Sequence, residues 1–218
     1  MASVTDRQPR RRADAERNIA AILDAGLTCF SRNAEANMAD VAGAAGVGRV
    51  TLYRHFPSRE ALIDSVLAHA ISRADTALEA VAVDDGPAPE ALARLIHSSW
   101  RIVDHHRSLL AAAQRDLPPA RIRHHHDQAM ARVERLIGRG QNDGDFRTDL
   151  PRPWLVATFY SVLHGAAEEA DAGRLDPDQI PEILTATLLA AFAAPGADRT
   201  SPPSRSRQAA GGGHGQRS

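Results

Sequence analysis

The stretch from Asn37 to Phe56, NMADVAGAAGVGRVTLYRHF, constrains this chain more than any other. Asn37 is a good N-cap for a short helix, from which Met38, Val41, Ala42 and Ala45 face inward. Ala42 and Gly46 are small where two helices must pack close to perpendicular. Gly46 also supplies the left-handed backbone that ends a helix at low cost. Val47 anchors the turn, and Leu52 and Phe56 anchor the next helix. A small residue, a four-residue step to Gly, an apolar residue and a five-residue step to another give the helix-turn-helix pattern. The second helix, from about Gly48 to His55, carries Arg49, Thr51, Tyr53 and Arg54. Those residue types suit a surface that meets phosphates and base edges. Arg49 can fork to guanine O6 and N7, and Thr51 and Tyr53 can reach a thymine methyl or a phosphate. The plain alternative is a solvated basic helix face.

Charge is distributed to match. Residues 1–60 carry nine Arg against seven acidic residues, a net of +2, while residues 61–194 carry thirteen against nineteen, a net of −6. A basic head on an acidic body fits a head that meets a polyanion and a body that does not. Residues 1–12, with Arg7, Arg10, Arg11 and Arg12, read as a flexible basic arm able to follow phosphates or enter a minor groove. The first helix is expected to start at Asp14. It carries Ile19, Ile22, Leu23, Leu27 and Phe30 at helical spacing, with Gly26 on the same stripe where another helix can approach closely.

After Phe56 the run Pro57-Ser58-Arg59-Glu60 starts a long helix that joins head to body, reaching about Val83. The residues Asp40-Val41-Ala42, Ala45-Gly46-Val47-Gly48 and Thr51-Leu52-Tyr53-Arg54-His55-Phe56-Pro57-Ser58-Arg59-Glu60-Ala61-Leu62 closely resemble the head of the tetracycline-repressor (TetR) family of regulators. The resemblance covers about residues 13–70. Asn37 stands where the family usually has Thr or Ser, and Val50 where a small residue is frequent. The resemblance implies an all-α fold of about nine helices, a helix-turn-helix three-helix domain followed by a helical ligand-binding and dimerisation domain. The expected units are the arm (1–12), the DNA-binding domain (13–60), the regulatory domain (61–194) and a disordered tail (195–218) rich in Pro, Gly and Arg. It also implies that Tyr53 and His55 contact the DNA backbone and position the helix rather than read bases. The expected DNA-contacting set is Arg10, Arg11, Arg12, Asn37, Met38, Gly48, Arg49, Val50, Thr51, Tyr53, Arg54 and His55.

The body is read by apolar pattern. Helices are expected from Pro89 to about His105, Arg107 to Arg115, Ala120 to about Asn142, and around residues 153–169 and 178–193. The last two offer a face on which two copies can form a four-helix bundle, or they bury their stripes within one copy. Resemblance favours the homodimer, whose paired heads would read a palindromic operator on double-stranded DNA. It further implies a small-molecule pocket, with His97, Trp100, His126, Met130, Trp154 and Phe159 as candidates for its wall and an unknown effector as its occupant. Each of these residues also suits an ordinary core.

Other function classes find little support. Three consecutive helical residues point about 100° apart, so His124-His125-His126 cannot all face one ion, and no metal or other cofactor is expected. No Ser-His-Asp arrangement, phosphate-cradling Gly loop or carboxylate pair suggests an enzyme. No apolar run could span a bilayer, and the basic N-terminus lacks the apolar segment of a secretory signal. The single cysteine, Cys29, leaves no internal disulfide. The expectation is a cytoplasmic bacterial protein, associated with the nucleoid when DNA-bound, acting as a ligand-responsive repressor. An activator, a ligand-independent DNA binder, or a helical small-molecule or metal-binding protein are the alternatives.

Overall fold

The computed structural model describes the backbone of residues 7–195 and side chains from residue 14 onward. Ten helices follow one another: α1 (Arg7–Arg32), α2 (Met38–Ala44), α3 (Arg49–His55), α4 (Arg59–Glu79), α5 (Ala88–His105), α6 (Arg107–Asp116), α7 (Pro119–His125), α8 (Asp127–Asp143), α9 (Arg152–Asp171) and α10 (Ile180–Phe192). The expected all-α architecture holds for the described residues.

The first helix starts earlier than expected. Arg10, Arg11 and Arg12, expected in the basic arm, lie in the first turns of α1, although their side chains lie outside the described residues, as do residues 1–6 and the tail beyond 195. Arg is among the better helix formers. Pro9 falls in the first turn, where its missing N–H had no intrahelical acceptor to lose. The linking helix α4 is shorter than expected and ends at Glu79. Beyond it, Arg94 donates to the carbonyls of Ala82 and Asp85, and Arg139 to those of Val83 and Gly86. These carbonyls are satisfied by arginines in place of a helical ladder.

The head is built on α1 and α4. A Cβ placed on Gly26 would stand 2.6 Å from Cγ2 of Val66, so the glycine sets how closely the two helices meet. Ile22, Phe30, Val41, Leu52, Leu62, Ile63 and Val66 are fully buried between the four head helices. In the body, α5 is central and packs against α8, α9 and α10. Gly140 on α8 lies against Phe146 and Ala88, and Phe146 meets Phe192 edge-on at 6.1 Å, tying the α8–α9 connection to the end of α10.

Arginines stitch head to body. The Arg59 guanidinium, lying over the Phe30 ring, donates to the carbonyls of Ala34 (2.6 Å) and Ala36 (3.1 Å) in the α1–α2 turn and pairs with Asp116 at the end of α6. Arg115 of α6 also donates to Ala34 O (2.9 Å) and pairs with Glu35. Ser31 Oγ meets His106 Nδ1 at 2.8 Å, linking α1 to the α5–α6 junction.

Candidate DNA interface and effector cavity

The helix-turn-helix is fixed by local chemistry. Asn37 Oδ1 accepts from the amides of Ala39 (2.8 Å) and Asp40 (3.2 Å), and Asp40 Oδ2 accepts from the Asn37 amide (2.8 Å). This reciprocal capping box starts α2. Gly46 takes φ +66° in the turn, and the Val47 amide donates back to Ala42 O at 3.0 Å. Leu52 and Phe56 are buried on one side of α3. On the other, Arg49, Val50, Tyr53 and Arg54 are exposed, Val50 at 85% and Tyr53 at 50%. Positions i, i+1, i+4 and i+5 share one helix face. Thr51 and His55 flank it, half-buried, and Gly48 is exposed at its start.

Two of the expected DNA contacts have structural roles in the head. Met38 packs into the head core, 8% exposed, on the inward side of α2 expected from its spacing. The Asn37 side chain is occupied as a cap, so its oxygen is already bonded.

The second site lies in the body, among α4, α5, α8 and α9. It is an apolar cavity of about 80 Å³, walled by residues such as Ile71, Leu95, Val103, Met130, Phe159 and Leu163. A smaller lobe of about 60 Å³ shares Ile71, Ala74, Ile102, Val103, His126 and His164 and reaches His106 and Leu109. Of the six residues expected at its wall, the structure brings His126, Met130 and Phe159 together here. His97 is exposed on α5, on the side away from the core. Trp154 is 62% exposed at the start of α9. Trp100 is buried elsewhere, its indole N–H donating to Pro177 O at 3.2 Å. Trp100 belongs to a core pattern, of which a cavity occupies only part, whereas His97 and Trp154 stand on the exposed sides of their helices.

Residues not singled out by sequence complete the cavity. His164 on α9 is 7% exposed, and neither ring nitrogen has a hydrogen-bond partner. An orphaned buried polar atom costs about 1–3 kcal/mol, so this ring is an unmet demand inside the cavity. Tyr160 lies 4.1 Å from it, centroid to centroid, and the Arg123 guanidinium stacks on the outer face of Tyr160 at 4.3 Å. His126 meets both rings edge-on. Its Nδ1 is 2.8 Å from the Ile122 carbonyl. A carbonyl only accepts, so Nδ1 carries the proton and Nε2 is left as the lone pair. Burial pulls the pKa of His126 down, and burial, His126 and Arg123 together pull His164 down to about 4. Both imidazoles are therefore neutral at neutral pH. The carboxylate lining the cavity, Asp75, is bound to the buried guanidinium of Arg132 at 2.7 Å. A titratable residue directly after Leu163 on an apolar stripe was the available signal for His164.

A two-helix reading unit with one exposed basic face, joined by a long helix to an all-helical body with a cavity, defines a helix-turn-helix DNA-binding transcriptional regulator. Comparison with known proteins identifies its kind. Residues 22–66 match the family model described as bacterial regulatory proteins, tetR family. The HTH-type transcriptional repressor LfrR of Mycolicibacterium smegmatis is 28% identical over 180 residues, 78% of this chain and 88% of that protein. The structure of LfrR in complex with proflavine superposes with a TM-score of 0.57 at 26% identity, covering 79% of this chain and 94% of that one. The fatty acid degradation regulator FadR from Bacillus halodurans shares the fold, with a TM-score of 0.65 at 17% identity over 78% of this chain and 97% of its own. Its head matches the tetR family, and along most of its length the chain is similar to the TetR-like repressor LfrR. Among the described residues, no helix is long and apolar enough to cross a membrane.

Proposed function

We propose that this regulator is a homodimeric, ligand-responsive repressor that reads a palindromic operator with α3 and releases it when a small molecule occupies the body cavity. The observation that carries the reading is the one-sided α3: Arg49, Val50, Tyr53 and Arg54 face out while Leu52 and Phe56 hold the helix from behind. Arg49 is assigned to base edges, and Tyr53, Arg54 and His55 to the backbone on either side, with Gly48, Val50 and Thr51 at the groove floor. The helical N-terminal run with Arg10, Arg11 and Arg12 supplies further phosphate contacts. The head is taken as residues 13–60 and the regulatory body as 61–194, with α4 belonging to both.

Dimerisation is assigned to α9 and α10. Trp154 and Ile183, two large apolar side chains with high exposure, sit on these helices. Ser161 and Gly165 on α9, and Ala186 and Ala190 on α10, keep the same surfaces low enough for close helix packing. Pairing the two faces across a two-fold axis makes a four-helix bundle and sets two heads at one helical turn of DNA or a multiple. Repression and effector response are supported by the named repressor LfrR and by the ligand in its structure. A cytoplasmic location follows from that role. Footprinting on genomic fragments tests the proposal. The expected result is protection of a two-fold symmetric site at moderate salt; binding with no sequence preference refutes it.

A further inference from the structure

We infer that the effector is a mainly apolar carboxylic acid whose carboxylate is received by His164, with His126 and Arg123 beside it. This rests on the body cavity being the effector site, and adds the ligand class.

The walls supply shape and burial, so the ligand is mostly hydrocarbon or aromatic. The polar groups supply the selection. His164 is enclosed, and both of its nitrogens lack partners, which marks a position where a ligand atom would satisfy the ring. The charged and titratable groups facing it come from every neighbouring element. From α4 comes Asp75, already engaged by Arg132 of α8. From the α5–α6 junction comes His106, engaged by Ser31. From α7 comes Arg123, with His126 at its end, and from α9 itself comes Tyr160. Arg123 has no carboxylate partner among the described residues, so the charge near His164 that awaits compensation is positive. A cationic ligand would feel the charge of Arg123 across the Tyr160 ring and find no free carboxylate lining the cavity. An anion would feel that charge favourably and meet, in His164, a ring able to take a proton.

The proton balance is simple. The neutral imidazole of His164, one proton from water and the ligand carboxylate combine into an imidazolium–carboxylate pair, and nothing is released. His164 is held near 4, first by burial and then by His126 and Arg123. An adjacent carboxylate favours the charged ring and raises that value. At a pH between the two values, binding takes up a proton and tightens as pH falls.

Calorimetry on the full chain tests this with three probes of one shape: naphthoate, naphthylmethanol and naphthylmethylammonium. Each is titrated at about pH 5.5 and about pH 7.5, in two buffers of different ionisation enthalpy, so that proton uptake is counted directly. Naphthoate is expected to bind most tightly, to take up close to one proton per site, and to gain about tenfold or more at the lower pH. His164→Gln keeps a polar side chain that cannot titrate. It is expected to retain naphthylmethanol while losing both proton uptake and pH dependence with naphthoate. If that variant does not fold by circular dichroism, the proton count on the natural chain decides alone. Tighter binding of the ammonium probe, or naphthoate binding without proton uptake, overturns the ligand class and leaves the cavity as effector site standing. Failure of all three probes to bind overturns both.

Discussion

Gly26→Ala tests how tightly the head is clamped to the helix that carries it. The new Cβ would lie 2.6 Å from Val66 Cγ2, whereas ordinary contact starts at 3.4 Å, so 0.8 Å must be found between α1 and α4. Val66 is fully buried, and a β-branched side chain in a helix has one strongly preferred rotamer. The helices themselves must part. Overpacking of this kind costs about 1–3 kcal/mol, while Ala recovers about 1 kcal/mol of helix propensity over Gly. In a Val66→Ala background the obstructing methyl is gone, and only the gain of about 1 kcal/mol remains. The same substitution is therefore neutral to clearly destabilising in the natural chain and stabilising in the variant, a coupling energy of about 1–3 kcal/mol. Urea unfolding of all four proteins measures it, at one protein concentration because dimer stability depends on concentration. A coupling below about 0.3 kcal/mol is the behaviour of sites that do not touch, and would refute the packing argument.

Asn37→Ala removes the capping box and is expected to cost about 1 kcal/mol of stability, read from urea midpoints; an unchanged midpoint contradicts the cap. Tyr53→Ala should weaken binding to operator and random DNA alike and reduce the salt slope by about one, measured by fluorescence anisotropy across a salt series. Arg49→Ala should instead lose about 1–3 kcal/mol of discrimination at one position in each half-site; a uniform loss across sequences moves Arg49 to the phosphate contacts. The Asp64 carboxyl is drawn from its ordinary 3.8 to about 2, chiefly by its hydrogen bond from Arg121 and then by His125. A lowered carboxyl stabilises the fold above its unfolded value, and that contribution is lost as pH falls towards about 2. Asp64→Asn should therefore flatten the acid limb of the stability curve between those two values, and an unaltered limb would show that the pair contributes nothing.

The head was legible in the sequence because its determinants are local. A cap at Asn37, a left-handed glycine at Gly46, and apolar anchors at Leu52 and Phe56 each act within a few residues, so spacing alone positions them. Gly26 was legible for the same reason, as the small member of an apolar stripe, although its partner Val66 was not named by that stripe. Met38 carried two expectations, an inward place on α2 and a DNA contact, and its burial in the head core bears out the first.

The body was legible as helices and not as a site, and the break between α7 and α8 shows why. Ile122, Met130, Val133 and Leu136 keep helical spacing from Ala120 to Asn142, so the pattern reads as one helix. The chain breaks at His126, where φ is −90° and ψ is 0°. There the Ile122 carbonyl, which a continuing helix would give to the His126 amide, is taken by the His126 side chain, and the amide turns to Arg123 O instead. A side chain that substitutes for its own backbone leaves no trace in hydrophobic periodicity. The same event turns the His126 ring towards His164 and Tyr160. The irregularity that periodicity misses is thus what puts polar chemistry into an apolar cavity. It also lies beside a tie between α7 and α4. His125, one residue before the break, bonds Asp64 on α4 at 2.7 Å, and Arg121 bonds the same carboxylate. Two groups on α7 thus share one carboxylate on the helix that carries the head.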